Sequence, residues 1–243
     1  MNIDNRKLYI DLMQKCILGL IYRDGTTQNP VFDENERNNG LAWPLQAHSM
    51  IGAKRMSNIH ELAQHVIDEK IPGDFAETGV WRGGACIFMA AILKAYDITD
   101  RSVWVCDSFA GLPPPNIIDY PQDTGDSHYH CSQLAISLET VQSNFARYDL
   151  LSDQVKFIKG FFSDTLPTAP IEQLSILRLD GDMYESTIVA LENLYPKLSV
   201  GGYVIVDDYG LPNCRRAISD YISANNIVSE LVEIDSSSIY WKK

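Results

Sequence analysis

Four aspartates follow two apolar runs at the point where each run ends. Asp180 and Asp182 close the stretch "LRLDGD", and Asp207 and Asp208 close "GGYVIVDD". If the runs are neighbouring parallel strands, these acids converge at one edge of a sheet. Clustered carboxylates resist ionising together unless a cation joins them. The pattern predicts a site for Mg²⁺, Mn²⁺ or Ca²⁺, and the alternative is strand-end capping and surface charge.

A glycine-rich turn, "ETGVWRGG", follows an earlier apolar run. It contains Glu77, Gly79, Gly83 and Gly84, and it favours a tight strand-to-helix turn where a ligand can approach the backbone. The turn is neither G-x-G-x-x-G nor a Walker sequence. A carboxylate at Glu77 would repel a pyrophosphate and attract an ammonium or sulfonium group. The alternative is a turn with no ligand.

Two more strand ends carry polar residues suited to a nucleoside. Asp107, at the end of "VWVCD", is a candidate for a bidentate hydrogen bond to a ribose diol, with capping of the next turn as the alternative. The run "KFIKGFFSD" ends in a group that could pack against and hydrogen-bond an adenine. Its members are Gly160, Phe161, Phe162, Ser163 and Asp164, although one phenylalanine is equally suited to the core.

Apolar runs and amphipathic segments alternate from residue 73 onward, which predicts a doubly wound α/β fold with a mostly parallel sheet. Two closing runs, "VSELVEI" and "SIYWK", predict a C-terminal antiparallel hairpin. The expected strands are 74–80, 103–108, 155–160, 174–180 and 202–207, and the expected helices are 84–96, 136–149, 186–197 and 213–224.

Residues 1–72 predict a helical or irregular appendage, and residues 73–243 predict the main domain. The stretch "LYIDLMQKCILGLIY" has helical spacing, and residues 23–44 have loop composition. In the next helical stretch, Ser57 or Asn58 is a candidate cap for the second part, with Glu61 completing a box. The proline-rich residues 111–130 predict a surface loop that could cover the site.

Charge and composition restrict the partners. The net charge of −12 argues against binding to nucleic acid or to an anionic membrane, because both require a positive surface. The N-terminus has acids among its apolar residues, so it predicts no signal peptide and no membrane span, and we expect a cytoplasmic protein. The five scattered cysteines predict buried or partly buried free thiols, with a catalytic cysteine as the alternative. His60 and His65 lack zinc-ligand spacing and are expected to pack on or in a helix.

Several long stretches together resemble the macrocin O-methyltransferase (TylF) family, whose members methylate sugar hydroxyls in macrolide and aminocoumarin biosynthesis. The resemblance extends from about residue 10 to the C-terminus. It rests on "GLAWPLQAHSMIGAKRM", "PGDFAETGVWRGGACIFM", "VWVCDSFAGLPPP", "VKFIKGFFSDTLPTAPI", "LSILRLDGDMYEST", "LYPKLSVGGYVIVDDYG" and "YWKK".

This resemblance implies a class I methyltransferase fold with a Rossmann-like sheet, S-adenosylmethionine as methyl donor, a divalent metal such as Mg²⁺ or Mn²⁺, and a helical N-terminal lid. It implies metal ligands at Asp180, Asp207 and Asp208. Asp182 lies where the general base is expected, with the roles of Asp180 and Asp182 open to exchange. The implied cofactor-binding residues are Met50, Glu77, Thr78, Gly79, Arg82, Gly83, Asp107, Ser108, Gly160, Phe161, Ser163, Asp164 and Asp180.

The segment "DTGDSHYHCSQLAIS", residues 123–137, fits the family less well, so the acceptor is less defined than the donor. A sugar or glycoside acceptor is expected, with Trp43, Met50 and Tyr184 as candidates for the pocket wall. A homodimer or larger assembly is compatible with the apolar N-terminal helices. The alternatives are a metal-dependent glycosyltransferase that uses the Asp-Gly-Asp sequence, and a cofactor-binding protein without catalysis.

Overall fold

A seven-stranded sheet forms the centre of the protein. A computed structural model describes residues 3–243 and gives the strand order β3-β2-β1-β4-β5-β7-β6. The first five strands are parallel, and β7 runs antiparallel to both β5 and β6. This confirms the predicted mostly parallel sheet with a C-terminal antiparallel hairpin. The strands are β1 (Asp74–Thr78), β2 (Val103–Asp107), β3 (Val155–Lys159), β4 (Leu174–Leu179), β5 (Leu198–Val206), β6 (Val232–Glu233) and β7 (Ile239–Lys242).

Helices cover both faces of the sheet because the central strands are apolar on both sides. Phe75, Ile176 and Ile205 belong to one core cluster, and their neighbours Leu177 and Val204 belong to the other, as strand alternation requires. The helices are α1 (Ile3–Ile17), α2 (Glu34–Asn38), α3 (Gly52–Asp68), α4 (Gly84–Ala95), α5 (Leu138–Arg147), α6 (Phe162–Thr165), α7 (Tyr184–Leu194) and α8 (Pro212–Ala224).

Element ends differ from the predicted ones for local reasons. β1 stops at Thr78, two residues early, because Gly79 turns the backbone into the left-handed region with φ +86°. β5 begins at Leu198, four residues early, since its apolar run pairs with β4 from Leu174 onward. The helix predicted at 186–197 is 184–194 followed by a short 3₁₀ turn. The run "VSELVEI" pairs only at Val232–Glu233.

The N-terminal segment shares a core with the sheet. Ile17 of α1 and Met56 of α3 are fully buried in the same cluster as Phe75 and Phe88. The predicted cap at Ser57 or Asn58 is wrong, because α3 runs without interruption from Gly52 to Asp68. The predicted loop at 23–44 contains the short helix α2. The division between residues 72 and 73 stays a prediction.

The connection from β2 to α5 contains the proline-rich segment. It crosses the surface with three short 3₁₀ turns, Pro121–Asp123, His128–His130 and Ser132–Leu134. Asp123 is fully buried, which is unusual for a loop carboxylate.

Two other features agree with the sequence. All five cysteines are free thiols. Between residues 3 and 243, no helix has both the length and the apolar character needed to cross a membrane.

Candidate active site

A cavity of about 380 Å³ opens at the carboxyl ends of the parallel strands. It lies where the strand order reverses between β1 and β4, which is the usual ligand position in doubly wound sheets. Side chains from the N-terminal segment, the turn after β1, the ends of β2, β4 and β5, and the loop before α5 line it. They include Trp43, Met50, Arg55, Gly79, Asp107, Ser108, His128, Phe161, Ser163, Asp180, Asp182, Asp207 and Asp208.

The structure brings the four strand-end aspartates together. One carboxylate oxygen from each of Asp180, Asp207 and Asp208 lies within 4.8 Å of the other two. The backbone N–H of Asp182 donates to Oδ2 of Asp208 at 3.1 Å. Asp182 has φ +56°, a left-handed conformation that aspartate tolerates better than most residues. β4 and β5 are adjacent and parallel, as predicted, so their ends meet.

Arg178 is a central member of the site that the sequence prediction missed. Its side chain is 1 % exposed and its guanidinium bonds the carboxylates of Glu77, Asp207 and Asp180, the last at 2.7 Å. Burial would lower its pKa, but the charges of Asp207, Asp180 and Glu77 outweigh burial and raise it well above the usual value. A signal was available, because Arg178 is a charged residue in a buried strand whose other residues, apart from Ser175, are apolar.

Arg55 is a second missed cation. Its Nη1 bonds Oδ2 of Asp207 at 2.7 Å, and its Nε bonds Oδ2 of Asp235 at 2.7 Å. Arg55 lies in the first turn of α3, and Asp235 lies between β6 and β7. The pair therefore connects the N-terminal segment and the C-terminal hairpin to the acid cluster. The divalent cation stays a prediction, and these two arginines are positive charges that the structure places beside the carboxylates.

The donor set suits a hard divalent cation. Three carboxylates that converge on one point match the oxygen ligation of Mg²⁺ or Mn²⁺, so the residues fit the implied metal. Burial and the neighbouring acids raise the pKa of Asp180, and they raise that of Asp208 well above the usual range. Burial, followed by the charge of Asp180, raises the pKa of Asp182 to about 7, which suits a general base. A bound cation would lower all three.

The glycine-rich turn packs against the acid cluster. A Cβ on Gly79 would lie 1.6 Å from the carbonyl oxygen of Asp180, so only glycine fits there. Glu77 is 2 % exposed, and it accepts hydrogen bonds from Arg178 and from Sγ of Cys86 at 2.7 Å. Burial raises its pKa to about 7 although Arg178 opposes the shift. The carboxylate expected to face a cationic ligand is thus already paired with a guanidinium.

Asp107 holds the first two strand ends together. Its Oδ2 accepts the N–H of Val80 and its Oδ1 accepts the N–H of Phe109, both at 2.7 Å. Burial raises its pKa, and these backbone donors oppose that rise. Oδ1 also accepts from the hydroxyl of Ser108 at 3.4 Å, whereas Oδ2 keeps a second lone pair. Because the residue also lines the cavity, the capping role and the ribose role are compatible.

The structure separates the predicted site residues into two groups. Those that line the cavity are Met50, Glu77, Gly79, Asp107, Ser108, Phe161, Ser163, Asp180, Asp182, Asp207 and Asp208, together with Trp43. Five expected cofactor residues do not line it: Thr78, Arg82, Gly83, Gly160 and Asp164. Arg82 instead donates to the carbonyls of Pro44 and Ala47. Tyr184 is not in the wall, because it is buried and its hydroxyl donates to Asp220 at 3.2 Å.

The strand order and the position of the cavity define a class I methyltransferase. Solved structures agree: the fold is similar to that of an O-methyltransferase from Bacillus cereus in complex with SAH, with a TM-score of 0.54 at 16% identity over 82% of this chain and 84% of that one. The O-methyltransferase NovP is far more similar, with a TM-score of 0.95 at 49% identity over 98% of this chain and 99% of that one.

The family model described as macrocin-O-methyltransferase (TylF) matches residues 22–243, and the chain belongs to this family. It is 50% identical over 244 residues to demethyldecarbamoylnovobiocin O-methyltransferase of Streptomyces niveus, covering 97% of this chain and 93% of the relative. It is 46% identical over 245 residues to mycinamicin III 3''-O-methyltransferase of Micromonospora griseorubida, covering 98% and 96%. The protein is an O-methyltransferase, which excludes the glycosyltransferase and non-catalytic alternatives.

Proposed function

We propose that the protein uses S-adenosylmethionine and a divalent cation, Mg²⁺ or Mn²⁺, to methylate a hydroxyl of a sugar or of a sugar-bearing natural product. One observation carries the proposal: the glycine turn, Asp107 and the acid cluster face the same cavity. A donor at the ends of β1 and β2 would then lie beside an acceptor at the ends of β4 and β5.

The donor side has the expected features. Gly79 lets the backbone approach a ligand closely, Asp107 has lone pairs for a ribose diol, and Phe161 and Ser163 line the far end. Phe161 is 37% exposed, so its ring is open to stacking with a purine. Phe162 packs against the core cluster, which leaves Phe161 as the candidate for that contact.

The acceptor side needs a base and an aligned hydroxyl, because an alcohol is a weak nucleophile at neutral pH. When bound, the cation would supply Lewis acidity that lowers the pKa of the hydroxyl. Asp180, Asp207 and Asp208 would hold it, and Asp182 or Asp180 would take the hydroxyl proton. Arg178 and Arg55 hold the carboxylate of Asp207 in place, one on each oxygen. Alignment of the hydroxyl with the methyl group then contributes much of the rate.

The N-terminal segment acts as the lid in this proposal. Trp43, Met50 and Arg55 contribute to the cavity wall, so movement of that segment would open the site. Closure would exclude water from the reacting groups. A homodimer or larger assembly is also proposed, and light scattering of the purified protein measures it directly.

Methyl transfer from S-adenosylmethionine tests the function. Probe acceptors are demethyldecarbamoylnovobiocin and mycinamicin III, taken from the names of the relatives, and methyl α-L-rhamnopyranoside as a minimal glycoside. We expect a mass increase of one methyl group on a probe in Mg²⁺ and none after chelation. Asp208→Asn should abolish transfer, while Asp153→Asn, an exposed acid on another loop, should not. Full activity in metal-free buffer would contradict the metal requirement, and inert probes would contradict the acceptor class.

A further inference from the structure

One polar side chain of the cavity wall comes from the loop between β2 and α5. His128 lines the cavity with its side chain 43% exposed. Its Nδ1 lies 2.8 Å from Oδ2 of Asp126, whose side chain is 4% exposed. Oδ1 of Asp126 also accepts the backbone N–H of His128 at 2.9 Å. Because Asp126 engages Nδ1, the ring has a fixed orientation and Nε2 is the nitrogen available to a ligand.

The loop that carries His128 is fastened beside the acid cluster. Asp123 is fully buried, and its two oxygens accept the N–H groups of Tyr184 at 2.8 Å and Glu185 at 2.9 Å. These are the first residues of α7, directly after the turn that contains Asp182. A carboxylate at a helix N-terminus is stabilised by the unpaired N–H groups there. The loop is therefore attached to the element that presents the expected base.

His128 and Asp182 line the same cavity, and Asp123 attaches the loop of His128 to the helix that begins two residues after Asp182. Burial lowers the pKa of His128, while the Asp126 hydrogen bond and the charge of Asp182 raise it above the usual value. The donor features lie at the ends of β1 and β2, on the opposite half of the strand order from the ends of β4 and β5 that carry the acid cluster. The position of His128 is thus on the acceptor side.

We propose that His128, oriented by Asp126, binds the acceptor through Nε2 by a hydrogen bond to an oxygen near the methylated hydroxyl. The inference rests on the proposed function, since it assumes a hydroxyl-bearing acceptor at Asp182. A sugar ring offers adjacent oxygens at the spacing such a contact needs, and a single additional hydrogen-bond partner at Nε2 restricts which hydroxyl faces the base. His128 is then a specificity-determining residue. The competing role is purely local: Asp126 and His128 fasten the loop to itself.

Substitutions with different retained atoms separate these roles. His128→Gln keeps a hydrogen-bonding amide near the Nε2 position, and His128→Asn keeps only the Nδ1 position that faces Asp126. His130→Ala is the matched control, because His130 is exposed on the same 3₁₀ turn and does not line the cavity. Steady-state kinetics use the intact protein in Mg²⁺ with a probe acceptor that the wild type methylates, and circular dichroism verifies folding.

We expect His128→Ala to raise the KM for the acceptor about tenfold, the value of one hydrogen bond, with the KM for S-adenosylmethionine unchanged. Gln should recover most of the loss, Asn little, and His130→Ala should match the wild type. Equal acceptor KM values for His128→Ala and wild type would overturn the inference, as would rescue by Asn but not Gln. A wild-type protein that methylates none of the probes would overturn the proposed function and this inference with it. If the wild type methylates a probe and the His128 variants have the wild-type KM for the acceptor, only the inference is overturned and the proposed function stands.

Discussion

Replacing Arg178 by methionine removes the cation at the centre of the acid cluster while keeping most of its volume. The side chain is 1% exposed and bonds Glu77, Asp180 and Asp207. Without it, Glu77 retains only Cys86 as a hydrogen-bond partner, and Asp207 retains Arg55. Three buried or half-buried carboxylates then lie together with one fewer positive charge, so the folded state loses free energy relative to the unfolded chain.

The expected loss is about 3–5 kcal/mol, the range found when one partner of a buried ion pair is removed. Three acids lose a partner, which favours the upper part of this range of about 3–5 kcal/mol. Protonation of Glu77, whose pKa is already about 7, limits the loss near neutral pH. For a chain of this length, that loss lowers the midpoint of thermal unfolding by roughly 6–20 °C. A divalent cation bound by the remaining aspartates supplies positive charge at the same place, so Mg²⁺ should restore more stability to the variant than to the wild type.

Urea and thermal unfolding followed by circular dichroism measure the effect, with and without Mg²⁺ at pH 7. Arg216→Met is the matched control, because Arg216 is 66% exposed and pairs only with Asp220 on a helix surface. We expect the control to unfold like the wild type. An Arg178→Met variant as stable as the wild type would refute the assignment of Arg178 as the cation that holds the acids together. Equal effects of Mg²⁺ on both proteins would refute the overlap of metal and guanidinium charge.

Three further predictions concern single polar side chains. Asp107→Ala should weaken S-adenosylhomocysteine binding at least about tenfold by calorimetry, since it removes a cavity-lining acceptor; unchanged affinity removes Asp107 from the ribose site. Burial lowers the pKa of His48 to about 4, so its imidazole stays neutral in the folded protein. Because the unfolded chain takes up a proton at about pH 6.5, the stability of the protein falls as the pH drops from about 6.5 towards 4. His48→Asn can keep the bond to Tyr148. Between pH 7 and pH 5, its free energy of unfolding in urea titrations should fall by about 2 kcal/mol less than that of the wild type. Equal falls in the two proteins would contradict this. Asp123→Ala should cost about 1–2 kcal/mol through loss of the α7 cap, whereas Asp119→Ala on the same loop should not; equal stabilities would show that the cap is not formed.

The sheet could be predicted from the sequence because the patterns that indicate strands and helices are local and repeated. Short apolar runs alternate with amphipathic segments, and strand-end polar residues mark where the runs stop. The convergence of Asp180 with Asp207 followed from that reading, since parallel neighbours end at one edge. The exact strand ends could not be predicted, because they depend on backbone geometry. The conformation of Gly79 ends β1, and pairing of Leu198 with Leu174 extends β5.

The charge compensation inside the site was not predicted. Arg178 and Arg55 are separated by more than one hundred residues, and their common partner Asp207 lies on a third element. Arg178 could have been predicted as a site residue because it is a charged residue in a buried strand. Arg55 lies on a helix with other charged residues, so its sequence position does not distinguish it from a surface arginine. Asp123 was likewise hidden, because only the fold brings its loop to the start of α7.

Acidic clusters are useful to a metal enzyme only if the fold tolerates them without the metal. Here Arg55 and Arg178 occupy both oxygens of Asp207, while Asp180 keeps one oxygen on Arg178. The two arginines therefore offset part of the negative charge of the site, and α3 is attached to the cluster by Arg55. This attachment connects the N-terminal segment to the same residues that would hold the cation, so the position of the proposed lid and the binding of the proposed metal should be coupled.

Calorimetric titration of the purified wild-type protein with S-adenosylhomocysteine in Mg²⁺ tests the central claim most directly. The cavity between the glycine turn and the acid cluster predicts one-to-one binding in the micromolar range, and UDP-glucose, the control ligand, should give no binding heat. Absence of S-adenosylhomocysteine binding, or equal binding of the nucleotide sugar, would contradict the assignment of this cavity to the methyl donor.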